Sequence, residues 1–212
     1  MYLSRVELDI GNRQKLHDLT HLGAYHNWVE ASFPKEVESG VRTRKLWRLD
    51  HIGRKTYLLV VSEEKPDFDR FEKYGVSGTA ESKDYSQFLS SIKTDKPYRF
   101  KVVLNPTHSV ARESGGRGKV YPHVTADKQL EFLEKKADAN GFRLIPGNYQ
   151  ITDRSYQLLR KKGHPDVHIS VVTFEGLLEV TDIELFLKAM TKGIGKEKAY
   201  GCGMLTIIPV KS

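Results

Sequence analysis

Cysteine occurs once in the 212 residues, at Cys202. That excludes a disulfide within the chain and a cysteine-built zinc site, and it fits a reducing compartment. No apolar run approaches the ~20 residues of a membrane-spanning helix. The opening "MYLSRVELDI" lacks the cationic start and long apolar stretch of a secretory signal. A cytoplasmic protein without a membrane partner is expected. Acidic residues are outnumbered, 27 against 34 Lys and Arg, giving a net charge of +7. A basic excess of this size is compatible with an anionic partner, most often nucleic acid. No P-loop, no G-x-S-x-G serine and no paired-carboxylate arrangement can be read, and no cofactor is expected. The composition itself, 39% hydrophobic and 29% charged, is that of an ordinary globular protein.

Hydropathy patterning divides the chain into two similar series. Residues 2–10 alternate and predict a strand; Asn12 is a good N-cap for a helix over about 13–32. Strands are predicted over 42–50 and 55–63, a short helix over 66–75, and an irregular stretch over 76–96. A second strand–helix series starts at "YRFKVVLNP" (98–106), followed by a glycine-containing loop (108–123) and a helix capped by Thr125 and ended by Gly141. Then come "FRLI", "YQLLRKK" (156–162), a "GHPD" turn, a strand over 167–180, a helix from Asp182 to about Lys192, and a final strand over 203–210. The order is βαββαβ, twice over: an α+β protein of two tandem ferredoxin-like domains, residues 1–94 and 95–212. The weakest element is the last strand of the first half.

One histidine stands out. Leu19, Leu22, His26, Val29 and Phe33 recur at spacings of three and four, the stripe of a helix that faces a core. An imidazole inside that stripe is either a packed structural residue or a group at the rim of a site. Gly23 weakens a helix by up to ~1 kcal/mol relative to Ala and favours an interruption that would expose His26.

Basic and glycine-rich clusters supply candidate contacts to an anion. "GIGKEKAYGCG" (193–203) encloses Lys196 and Lys198 between Gly193, Gly195, Gly201 and Gly203. Glycines permit φ > 0 and close backbone approach, and the lysines add charge, so a phosphate-contacting loop is favoured over a simple helix cap and turn. Arg160, Lys161 and Lys162 form the tip of a hairpin; Arg112, Arg117 and Lys119 lie in the 108–123 loop; Arg42, Arg44, Lys45 and Arg48 surround Trp47 on the strand over 42–48. Together they predict an extended backbone-contacting surface. His17 and His21, one helical turn apart, imitate a zinc motif, but Asp18 replaces the usual Glu and no third ligand is evident, so exposed histidines are the better reading. Cys202, among glycines beside a strand, reads as a small packed residue.

The chain resembles the CRISPR repeat-processing endoribonucleases of the CasE type over its whole length. The resemblance is carried by "MYLSRVEL", by His26 followed by Trp28 and Phe33-Pro34, and by "YRFKVVLNP" ahead of a Gly/Arg loop. "VVTFEGLLEVTD" (171–182) and "KGIGKEKAYGCGMLTIIP" are its most specific parts. It implies paired ferredoxin-like domains that bind a repeat hairpin, with the catalytic histidine at His26, the family's glycine-rich loop at Gly193–Gly203, and its basic hairpin at Arg160–Lys162. Some members carry a catalytic tyrosine one turn before the histidine; here Gly23 stands there, and Tyr25, the nearest tyrosine, is the candidate for that role. The resemblance also implies that the product stays bound and that other subunits of a Cascade-type surveillance complex are partners. The chemistry expected is metal-free attack by a 2′-hydroxyl on the adjacent phosphate, 3′ of the hairpin, leaving a 2′,3′-cyclic phosphate and a 5′-hydroxyl. His26 would transfer a proton, and Lys161 or Lys162 would meet the developing charge. A double ferredoxin-like RNA-binding module without catalysis is the alternative.

Overall fold

In the computed structural model the described residues are 1–111, 118–160 and 163–210. The first series runs β1 (Tyr2–Glu7), α1 (Arg13–Leu16), α2 (Leu22–Ala31), α3 (Pro34–Ser39), β2 (Leu46–Ile52), β3 (Lys55–Ser62), α4 (Phe68–Phe71), β4 (Glu81–Asp84) and α5 (Ser86–Ser90). Its four strands form one antiparallel sheet in the order β2-β3-β1-β4. The second series is β5 (Pro97–Leu104), a small hairpin β6 (Thr107–Val110) and β7 (Lys119–Pro122), α6 (Ala126–Asp138), β8 (Phe142–Leu159), β9 (Val167–Val180), α7 (Ile183–Lys192) and β10 (Leu205–Pro209). Its sheet has the order β10-β5-β9-β8. Numbered within each half, both sheets read 2-3-1-4 or its reverse, so the fold is double ferredoxin-like.

Local chemistry accounts for the helix ends. The Asn12, Asp67, Thr125 and Asp182 side chains each accept from the backbone N–H three residues on, satisfying a donor with no partner inside its helix. α7 stops at Gly193, whose φ of 77° is left-handed and suits glycine.

Several predicted elements are corrected. The single helix over 13–32 is two helices separated by a turn at 17–21. Tertiary contacts take the turn residues out of helical register: the Tyr74 hydroxyl donates to Asp18 at 3.1 Å, and Lys15 Nζ bonds the Gly75 carbonyl. Between 76 and 96 lie β4 and α5 rather than irregular chain; β4 is short and polar, so alternation could not reveal it. β2 starts at Leu46, leaving Arg42 and Arg44 in the connection before it. The 108–123 loop carries the β6–β7 hairpin, and "FRLI" and "YQLL" (156–159) belong to one long strand, β8, with register breaks that hid its alternation.

Two hydrophobic clusters hold the fold together, and each draws on both series. Leu58 and Val60 of β3 join Trp28, Phe71, Leu159 and Val171; Val61, and Leu59 at its margin, face the cluster of Phe100, Phe142, Phe174 and Phe186. Successive residues of a strand point to opposite faces, so β3 is packed on both sides. A buried ion network crosses the same boundary. Arg48 of β2 donates to Asp50 at 2.8 Å through two nitrogens, and to the Lys101 and Met204 carbonyls, both at 3.0 Å, and to Thr206 at 2.9 Å. Burial disfavours the charge on Asp50, but Arg48 and Lys101 outweigh it and hold its pKa below the ordinary value.

Candidate active site

The apolar stripe survives the break in the helix. Leu22, Val29 and Phe33 are buried, Leu19 packs at the edge of the same cluster, and His26 is half-buried between them. His26 therefore lies on the rim. Its ring meets Tyr200 edge-on, with centroids 5.6 Å apart. Tyr200 ends a short 3-10 turn, Lys198–Tyr200, inside the glycine-rich loop. Histidine and loop, over 170 residues apart in sequence, are thus neighbours.

Two further segments converge on α2. The first is the basic hairpin. A Cβ at Gly23 would lie 2.7 Å from the Arg160 carbonyl oxygen and 3.0 Å from the His21 ring. Only glycine lets the backbone just after β8 approach the first turn of α2 so closely, and a tyrosine has no room there. Arg160 bonds Asp166 across the hairpin at 3.0 Å. Lys161 and Lys162, and likewise Arg112 and Arg117, lie outside the described residues. The second segment is 42–45. Lys45 is buried against Glu36 at 2.6 Å, with Glu30 at 3.5 Å, and Glu36 also accepts from the Thr43 amide and hydroxyl. These bonds anchor the connection from which Arg42 and Arg44 project into solvent, whereas Lys45 and Arg48, expected on the same basic surface, are buried in ion pairs and offer nothing to an outside anion.

The electrostatics of His26 follow. Burial lowers its pKa below the ordinary histidine value, Glu30 acts in the opposite direction, and Arg42, Lys45 and Arg44 lower it further. Its imidazole is held neutral at neutral pH, the state that accepts a proton. Tyr25, its neighbour, turns its ring onto Trp47 (centroids 5.8 Å, 21° between planes) and against Trp28 at 6.4 Å. Burial raises its pKa.

The glycine-rich loop is shaped by its own backbone bonds. Gly193, Gly195, Gly201 and Gly203 all have positive φ. Ile194 N–H donates to the Gly203 carbonyl (2.9 Å), and Gly203 N–H to that of Val103 (2.7 Å). A Cβ at Gly201 would touch the Trp47 ring at 3.0 Å, while Trp47 donates to the Ala199 carbonyl at 2.9 Å. The loop is fastened over Trp47, which fixes Tyr200 beside His26. Lys196 is exposed and Lys198 half-buried; Lys119 is exposed at the start of β7. Cys202 is fully buried, and burial pushes its thiol up to about 12, as befits a packed residue. His17 is exposed beside Asp18, and among the described residues no three His, Cys, Asp or Glu side chains gather as metal ligands.

Sequence reasoning missed Tyr200 and Trp47 as parts of the site, and the Glu30–Lys45–Glu36 network. Nothing in local spacing signals them, because each acquires its place only when α2, β2 and the loop pack together.

These features define a class: double ferredoxin-like proteins that gather a half-buried histidine, a glycine-rich loop and arginines at the junction of their two halves. The chain belongs to the family described as CRISPR associated protein, which matches residues 1–209. It is 27% identical over 220 residues to the CRISPR-associated endoribonuclease Cse3 of Thermus thermophilus, spanning 99% of this chain and all of that one. The structure of Thermus thermophilus Cse3 bound to an RNA representing a pre-cleavage complex is 26% identical, with a TM-score of 0.81 over 98% of both chains. Cas6e of Escherichia coli, 20% identical, shares the fold with a TM-score of 0.70, over 99% of this chain and 100% of that one.

Proposed function

We propose that the chain is an endoribonuclease that cuts precursor CRISPR RNA within its repeats, 3′ of the repeat hairpin, and keeps the product bound as a subunit of a Cascade-type surveillance complex. The observation that carries this reading is the rim position of His26, where α2, Tyr200, the Arg42–Arg44 segment and the start of the basic hairpin meet. The likeness to the endoribonuclease Cse3, whose structure bound to an RNA represents a pre-cleavage complex, supports it.

The chemistry is metal-independent. A neutral His26 takes the proton of the 2′-hydroxyl; the 2′-oxygen forms a bond to the adjacent phosphorus; the bond from phosphorus to the 5′-oxygen breaks, and that oxygen leaves as a hydroxyl once protonated. The products are a 2′,3′-cyclic phosphate and a 5′-hydroxyl. Arg160 and the lysines next to it in the chain, Lys161 and Lys162, balance the charge that grows on the phosphorane. Arg42, Arg44, Lys119, Lys196 and Lys198 contact RNA phosphates, as do the loop glycines where their amides are free. Tyr25 is assigned to the aromatic packing that supports His26.

The test is His26→Ala. General acid–base catalysis contributes about 10²–10⁴-fold, so cutting of a repeat-hairpin RNA should fall by at least that factor while binding persists. A 2′-deoxy nucleotide 5′ of the scissile phosphate should block the reaction, and EDTA should leave it intact. Wild-type protein that shifts the RNA in a gel without shortening it would establish the non-catalytic binding module instead.

A further inference from the structure

Away from His26, a lysine-lined cleft of about 440 Å³ lies between α6, α7 and the glycine-rich loop. Lys136 of α6, Lys188 and Lys192 of α7, and Lys196 and Lys198 of the loop line it, with Phe132 beside them. Among the described residues, only Lys192 of these five has a carboxylate within ion-pair reach, Glu63 at 2.9 Å. Lys136 lies over the Phe132 ring, 5.4 Å from its centroid. Gathering like charges opposes folding unless a counter-charge arrives. Burial, and then the charges of Arg44 and Lys136, depress the pKa of Lys198. Arg44 acts on His26 as well, so the positive field continues from the candidate active site into the cleft.

We propose that this cleft binds the phosphate backbone of a single-stranded RNA segment flanking the repeat hairpin, with Phe132 as a stacking platform for an unpaired base. The inference rests on the nuclease reading above. One feature selects a single strand. A basic groove combined with an aromatic ring is the arrangement that holds unpaired bases, whereas duplex bases already stack on one another.

The test compares Lys136→Gln/Lys188→Gln with wild type on three RNAs: the hairpin alone, the hairpin with a 5′ single-stranded extension, and the hairpin with a 3′ extension. Affinities are measured over a range of salt. Each phosphate contact to a single strand contributes about 0.7 to the slope of log K against log salt. The double variant should therefore lose about 1.4 from the slope for one extended RNA, and nothing for the bare hairpin. Lys128→Gln/Lys135→Gln is the control: both lysines are on α6 but pair with Glu131 at 2.7 Å, away from the cleft, and their loss should leave all slopes unchanged. An equal loss on all three RNAs would mean the stem occupies the cleft, and no loss on any would mean nothing does; either overturns the proposal. Wild-type protein that binds none of the three overturns the nuclease reading itself, and this inference with it.

Discussion

Replacing Gly23 by Ala puts two opposed effects on one atom. Within a helix, Ala is favoured over Gly by up to ~1 kcal/mol. At this position the new Cβ lies 2.7 Å from the Arg160 carbonyl oxygen, and ordinary contact begins at 3.4 Å, so helix and hairpin must separate by about 0.7 Å. The near neighbour is backbone, which cannot swing aside as a flexible side chain would. Overpacking of this kind costs about 1–3 kcal/mol, which leaves a net destabilisation between zero and ~2 kcal/mol. The functional effect should be larger than the thermodynamic one, because the displaced backbone leads directly into the basic tip, and a misplacement near 1 Å can cost about 10²-fold in rate. Single-turnover cleavage of a repeat-hairpin RNA at saturating protein separates the chemical step from binding. The expected result is a rate 10- to 100-fold below wild type, with thermal unfolding shifted by only a few degrees. A Gly23→Ala protein that cuts at the wild-type rate would refute the idea that contact between β8 and α2 sets the site.

Other consequences are open to direct measurement. On the proposal that His26 is the base, its depressed pKa predicts that kcat/KM rises with pH through an inflection below 6.5 and then levels; Arg42→Gln removes a positive neighbour and should move that inflection upward, whereas an unmoved profile would assign the titration to another group. Arg48→Ala leaves Asp50 buried without its guanidinium and should lower the free energy of unfolding in urea by about 3–5 kcal/mol. Lys45→Met should cost a similar amount at neutral pH. Glu36 has a depressed pKa, so its pairing stabilises the fold above its unfolded value of 4.5 and fades as pH drops below it; the deficit of the variant should shrink in acid.

How much of this was legible in the chain differs by element. Strands rich in apolar and β-branched residues, β3 and β5, and helices with a capping residue and a glycine stop, α6 and α7, could be read directly. β4 could not, because "ESKD" is a polar edge strand whose only instruction to pair comes from β1 beside it. The turn at 17–21 was hidden for a related reason: the apolar stripe continues in register through Leu19 and Leu22, and the break is imposed by Tyr74 and Gly75 from a distant segment. His26 was visible as an anomaly of the stripe. Its partner Tyr200 was not, since no periodicity links positions so far apart. Gly23 was visible as a helix-weakening residue, but its importance is steric and appears only when Arg160 arrives.

The arrangement explains how the histidine proposed for proton transfer can reside in a stripe otherwise given to packing. Leu22, Val29 and Phe33 must face the first sheet, and the helix period then forces position 26 toward the same side. The second half of the chain meets the first at this level, with Tyr200 against His26 and the Arg160 backbone against Gly23, so this face of α2 is only partly covered and His26 stays half-buried. The imidazole is shielded enough to lose part of its hydration and favour its neutral form, yet close enough to solvent to meet a docked phosphate. The opening is a product of the joint between the two halves. Its dimensions depend on the buried Arg48 network and on the loop fastened over Trp47, both of which lie outside any contact with substrate. Residues that only hold the joint therefore influence catalysis through geometry, and the site can be weakened without touching a single group that handles the proton.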